Sequence, residues 1–284
     1  MRGPHNILRL IRTGATLERT GAMPVILNAL DAPKTIKFAA RIIVWPFQFL
    51  GRKGDKSLLP APRALTAMGP AYIKFGQILS TRPDVVGPEL AEQLRVLQDR
   101  LPPFSTSVAK QSFKLETGLD ADDVFSHFSE PVAAASIAQV HRGQLRESGH
   151  TVAIKVLRPE IERAFQRDID TFYFAARLVE FVSPKSRRLK PIDVITHFDG
   201  VVQGELDLRL ESASASEFSA NIRNDKGFSV PSINWSLSSR RVMTLDWADG
   251  LPMGDTDALA AAGHNLTELG DRVLHMFLSH ALRD

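Results

Sequence analysis

The sequence predicts an α+β chain, with a small antiparallel sheet set among helices. Three observations carry this. Short strand-like runs cluster at Phe125–Phe128, Ala138–Gln144 and Val152–Leu157, and the turn-forming "ESGH" separates the last two. Helical spacing dominates before them and returns at Pro159. Strand texture then reappears at Ser229–Ile233 and Arg240–Trp247. Hydrophobic residues make up 44% of the 284 and charged residues 24%, enough apolar content for a packed core. The net charge of +3 is too small to argue for nucleic acid. With no cysteine, disulfides and thiolate metal sites are excluded.

The elements follow in order. Residues 1–60 read as an N-terminal helical segment and linker. Within it, "KTIKFAARIIVWPFQFLGRK" flanks an aromatic-rich apolar patch with basic residues. That pattern suits a helix lying in a membrane surface, and equally a helix packed on its own domain; Pro46 kinks it either way. No run reaches the roughly 18 to 20 apolar residues that span a bilayer, and "MRGPHNILRLIRTG" lacks the apolar core of a signal peptide. Residues 61–118 read as a helical unit. "LLPAPRAL" precedes its first helix, Pro83 and Pro88 mark boundaries, and a further helix runs from Thr106 to Thr117 before Gly118. Residues 119–247 hold the strands. A helix opened by Pro159 is inserted there (159–190), and one long helix runs from Pro191 through "VVQGELDLRLESASASEFSANI". The basic loop "SPKSRRLKP" reads as a solvated connector or a contact for lipid phosphate. "ADGLPMGD" reads as a hinge, and two helices finish residues 248–284.

Four stretches carry chemistry. In "TVAIKV", strand alternation puts Ala153 and Lys155 on one face. A lysine held on a sheet face can meet phosphate oxygens and a helix carboxylate, although an edge strand whose lysine reaches water reads the same way. One strand upstream, "PVAAASIAQV" puts small residues where backbone amides would approach a phosphate. Alanine is less free than glycine at positive φ, so this loop is expected to be stiff. In "QGELDLRLE", Glu205, Asp207 and Glu211 are three acids on the expected long helix, and Asp207 and Glu211 share a face. In "AYIKFGQ", Lys74 and Gln77 are three apart, and the mid-helix Gly76 marks close packing.

Together these stretches resemble the UbiB family of atypical, protein-kinase-like proteins linked to ubiquinone biosynthesis. The resemblance covers roughly residues 60 to 284. It rests on a KxGQ motif at Lys74–Gln77, an alanine-rich loop at Ala133–Ser136, a VAIK lysine at Lys155 and an ExD motif at Glu205–Asp207. It implies a protein-kinase-like small lobe with a helical N-terminal extension, a helical insertion and the first helices of the large lobe. It implies ATP binding by Val132, Ala133, Ala134, Ala135, Ser136, Ile137, Ala138, Gln139, Val140 and Lys155, with Glu211 pairing Lys155 inside the lobe. Lys74, Gln77, Glu205 and Asp207 would gate the cleft where a protein substrate otherwise enters.

That gate implies an ATPase or a kinase acting on a small or lipid-like molecule. The alternatives are a nucleotide-switched, non-catalytic membrane scaffold and a regulatory protein kinase. The implied partners are ubiquinone precursors or lipid, the enzymes of that pathway and a membrane surface, at the cytoplasmic side of a bacterial inner membrane or its mitochondrial equivalent. Nucleic acid is not among them. "SHALRD" does not read as a kinase H-R-D loop, because His280 and Arg283 are not adjacent and the run continues a helix. The catalytic loop and the Mg²⁺-binding segment are therefore expected beyond Asp284. Mg²⁺ and phosphoryl transfer are expected only of a longer form.

Overall fold

The computed structural model describes residues 5–29, 32–98, 102–182, 187–188, 190–225 and 227–283. Its α+β class is the one the sequence predicts. The helices before the sheet are α1 (His5–Thr20), α2 (Ala22–Ala29), α3 (Lys34–Val44), α4 (Pro60–Met68), α5 (Pro70–Ser80), α6 (Pro83–Val86), α7 (Pro88–Leu94), α8 (Thr106–Thr117) and α9 (Ala121–Val124). Proline opens four of these, where its missing N–H costs nothing. Gly118 ends α8 in the left-handed conformation, at φ 76°.

Four antiparallel strands follow the order β1 (Phe125–Ala134), β2 (Ala138–Leu145), β3 (Thr151–Leu157) and β4 (Val242–Asp246). Between β3 and β4 lie α10 (Ile161–Val182), α11 (Pro191–Glu205) and α12 (Leu208–Asn221). After β4 come α13 (Thr256–Ala261) and α14 (Leu266–Arg283).

Apolar clusters pack against both faces of the sheet. Val152, Ile154 and Val156 of β3 point to one side with Val242 of β4, and there they pack with Ala109 and Phe113 of α8. The other side carries Ala138, Leu157 and Met243. These join a cluster with Phe165 and Ile169 of α10, Phe198 and Val202 of α11, and Ala71 of α5. Lys155 is register-paired with Val140 on β2 and Met243 on β4, so it belongs to this second side. Aromatic rings tie the helices together there. Phe75 lies 5.5 Å from Phe172 and 5.2 Å from Phe198, and Tyr72 meets Phe172 edge-on at 4.7 Å.

Several elements differ from expectation. Residues 229–233 form no strand; a single bridge joins Ile233 to Leu245. Pro231 has no N–H to give a ladder there. Strand β1 runs on to Ala134, and both prolines of "LLPAPRAL" lie within the first turn of α4 rather than before it. Pro159 sits in a turn ahead of α10, where Glu160 takes a positive φ of 51°. The long helix from Pro191 is broken in two: Leu208 N–H donates to the Arg240 carbonyl, and Asp207 caps α12 by accepting from Arg209 N–H. Pro46 turns the end of α3 into a 3₁₀ turn at Trp45–Leu50. Residues 183–186 and 189 of the basic loop lie outside the described residues.

Phe165 is fully buried at the centre of the shared cluster. Phe165→Ala is expected to cost about 3 to 5 kcal/mol. Denaturant unfolding followed by far-UV circular dichroism measures this. A loss below about 1 kcal/mol would mean that the helices do not depend on this contact.

Candidate functional site

Strand β3 holds Lys155 on the sheet, and α12 brings Glu211 to it. The Lys155 Nζ donates to both Glu211 carboxylate oxygens at 2.7 Å. Glu211 lies in the first turn of α12, so the Asp207 cap fixes where its carboxylate starts. The pair sits at an open edge rather than inside the lobe, with side-chain exposures of 24% for Lys155 and 48% for Glu211. At that exposure it contributes roughly 0 to 1 kcal/mol, and its value is positional.

The alanine-rich segment is shorter as a loop than its sequence suggests. Val132, Ala133 and Ala134 end β1, and Ala138, Gln139 and Val140 begin β2. Only Ala135, Ser136 and Ile137 form the connection. The Ala135 amide donates to the Ala138 carbonyl at 2.8 Å, which closes the hairpin. Arg158 then clamps it: its guanidinium donates to the Ala135 carbonyl and its backbone N–H to the Ile137 carbonyl. Burial lowers the Arg158 pKa from its ordinary value. Ser136, Ile137 and Ala138 are buried, while Val132, Ala133 and Ala135 are exposed. Ile137 belongs to the same apolar cluster as Ala71 of the extension helix α5.

Gln139 departs from its expected place at a phosphate. Strand alternation turns its side chain to the opposite face of the sheet, where it is buried. Its Oε1 accepts from Phe104 N–H at 3.0 Å and its Nε2 donates to the Phe104 carbonyl at 3.1 Å. The same amide donates to His141 Nε2 at 2.9 Å, because His141 Nδ1 must carry the proton that reaches the Ser129 carbonyl at 2.8 Å. Neither His141 nor this amide pairing was legible in the sequence. A Gln-x-His pattern on a strand was the only signal.

The gating residues separate. Lys74 of α5 meets Glu205 of α11 at 2.5 Å, with exposures of 18% and 34%. Gln77 turns away and donates to the Leu97 carbonyl at 2.7 Å. Asp207 does not face Lys74; it caps α12 and binds the Arg209 guanidinium at 2.6 Å. The hydrogen bond from Arg209 holds the Asp207 carboxyl below its usual pKa. Gly76 allows close approach, but not to α11: a Cβ there would lie 2.5 Å from Leu97 Cδ1 and 2.6 Å from Leu65 Cδ1. Residues 279–283 continue α14, as the sequence reading of "SHALRD" requires, and Arg283 binds Asp225 at 2.8 Å.

Residues 96–284 match the model of the ABC1 atypical kinase-like domain. A "probable protein kinase UbiB" of Marinobacter nauticus is 37% identical over 266 residues, covering 92% of this chain and 48% of the relative. Another of the same description from Aliivibrio fischeri is 39% identical over 222 residues, covering 78% of this chain and 41% of the relative. The chain thus spans about half the length of the curated relatives it matches. A Mycobacterium tuberculosis protein solved in complex with erythromycin aligns at a TM-score of 0.46 and 26% identity, over 63% of this chain and 45% of that one.

Burial lowers the His141 pKa from its ordinary value near 6.5. The folded chain therefore keeps the imidazole neutral where the unfolded chain takes up a proton. This contribution to stability is complete above about pH 6.5 and is lost as pH falls through the folded pKa. His141→Asn is expected to lose less stability than the parent between pH 7.5 and 5.5 (about one unit either side of that value), as urea unfolding at the two pH values would record. Equal losses would remove His141 from the acid response.

Proposed function

The chain belongs to the UbiB family of ABC1 atypical kinase-like proteins, and on that premise we propose that it binds ATP on the sheet face that carries Lys155. The observation that carries this reading is the Lys155–Glu211 pair. A carboxylate from a neighbouring helix holds an ammonium group on the sheet, opposite Val140, which lies three residues beyond the end of the short loop. Such a lysine neutralises phosphate oxygens, and its carboxylate partner fixes where the charge sits. The residues present fit a nucleotide in this respect. The loop's internal hairpin bond uses the Ala135 amide, which leaves the backbone of Ser136 and Ile137 as the near donors.

ATP supplies a transferable phosphoryl group when bound. Mg²⁺ and the transfer step are assigned to the whole protein, whose relatives are about twice as long. In that form the reading is an ATPase or a kinase directed at a small or lipid-like molecule in ubiquinone biosynthesis. Two features support it over a protein substrate. Ala71 of α5 shares an apolar cluster with Ile137 of the loop, and Lys74 bonds α11 through Glu205. Both occupy space that an entering polypeptide would need.

The same reading places the protein peripherally on a membrane, at the cytoplasmic side of a bacterial inner membrane. Helix α3 and the turn after it bury none of their residues; Phe38, Ile43, Trp45 and Phe49 are the most exposed of their large apolar side chains. An apolar surface of this kind with basic neighbours suits a lipid interface. Among the described residues no helix is long and apolar enough to cross a membrane.

Nucleotide titration tests the site. Lys155→Ala is expected to weaken ATP binding by about tenfold or more, consistent with loss of a charge-assisted contact. Ala134→Gly is expected to change nucleotide affinity without altering the fold, because glycine frees the end of β1 next to the loop. Unchanged affinity for ATP and ADP in both variants would overturn the assignment.

A further inference from the structure

A second polar site lies away from Lys155. A cavity of about 390 Å³ opens between α1, the start of α5 and α10. Arg9 and Arg12 of α1, Arg52 from the segment after the 3₁₀ turn and Arg167 of α10 all line it, with Tyr72 and Asp168 between them. None of the four arginines forms an ion pair among the described residues.

Three of the four are held in place by backbone carbonyls. Arg9 donates to the Arg167 carbonyl at 3.0 Å and Arg167 to the Arg163 carbonyl at 3.1 Å. Arg52 donates to the carbonyls of Ala67 and Met68 at 2.5 and 3.2 Å, at the end of α4. A guanidinium has five donors, so each keeps others to give. Helix α5 adds to the positive field: it starts at Pro70 with no side-chain cap, and Gly69 and Pro70 line the cavity. The Tyr72 hydroxyl pairs with Thr13 at 2.8 Å, and burial pushes its pKa up to about 12, so it brings no negative charge. Burial also raises Asp168, to about 6. One carboxylate against four guanidinium groups leaves a strong positive excess.

We propose that this cavity binds a phosphorylated ligand, with the phosphoryl or diphosphate group held among Arg9, Arg12, Arg52 and Arg167. Unpaired arginines around one cavity repel one another, and a multiply charged anion relieves that repulsion. Guanidinium forks match phosphate oxygens in pairs, which a carboxylate of single charge uses less fully. Two sources share this chemistry: a soluble phosphorylated metabolite and a lipid headgroup. Arg52 follows the exposed apolar turn at Trp45–Leu50 by two residues, which puts a headgroup within the same segment.

Calorimetric titration of the intact chain with inorganic pyrophosphate tests the proposal. Binding is expected, and Arg12→Gln should weaken it severalfold. Arg9→Gln combined with Arg12→Gln should weaken it by about tenfold or more. Arg12 is exposed and its replacement should leave the thermal melt unchanged, so Arg12→Gln remains informative if Arg9→Gln loosens the fold. Lys155→Ala should retain pyrophosphate binding, which separates this cavity from the proposed ATP site. Flotation with phosphatidylcholine vesicles containing phosphatidic acid assigns the source. Capture that pyrophosphate competes away and the double variant loses means a headgroup. Capture unaffected by either, with pyrophosphate binding still lost in the variant, means a soluble ligand. No pyrophosphate binding by the parent chain, or equal binding by the double variant, overturns the proposal.

Discussion

The apolar seam between α5 and the helix pair α10–α11 is the contact on which the rest of the site depends. Phe75 enters between Phe172 and Phe198, and Ala71 touches the cluster that also holds Ile137, Leu157 and Met243. Helix α5 is thereby registered against the sheet by side chains that have no polar alternative. Lys74 reaches Glu205 from that register, and Ile137 is buried in the same cluster as Ala71. Moving α5 by one helical turn, about 5.4 Å, would separate all of these at once.

The charged pairs have a different role from the seam. Lys155–Glu211 and Lys74–Glu205 both retain solvent contact, so neither is a large source of stability. Each instead fixes a direction. Glu211 holds an ammonium group at the sheet surface, and Glu205 ties the extension to α11. The energy that keeps them in place comes from buried aromatic and aliphatic side chains nearby. The arrangement divides the labour between apolar groups, which set distances, and charged groups, which set local polarity.

Much of this was legible because local chemistry announced it. Pro83 and Pro88 marked the starts of α6 and α7, Gly118 marked the end of α8, and alternation in "TVAIKV" put Lys155 on the correct face. The failures have a common cause, which is a distant partner. Asp207 looks like mid-helix until Arg240 is seen to take the Leu208 N–H. Gly76 suggests a close neighbour but does not say that it is Leu65 and Leu97. Gln77 and Gln139 were assigned to a cleft, yet each finds a backbone group 20 or 35 residues away. The arginines of the second cavity come from three separate stretches, and no spacing rule joins them.

The buried Gln139–His141 circuit admits a single proton arrangement. Ser129 takes the Nδ1 proton, so Nε2 can only receive, and the Gln139 amide must face it nitrogen-first; Phe104 uses what remains of that amide. Glutamate in place of Gln139 would set an oxygen against both a lone pair and a carbonyl. A leucine in place of His141 would strand an N–H in a dry interior. An apolar residue at one of the two positions alone therefore leaves a buried polar atom without its partner. Exchanging both for an apolar pair removes that conflict, and the backbone N–H and carbonyl of Phe104 must then be satisfied by another partner.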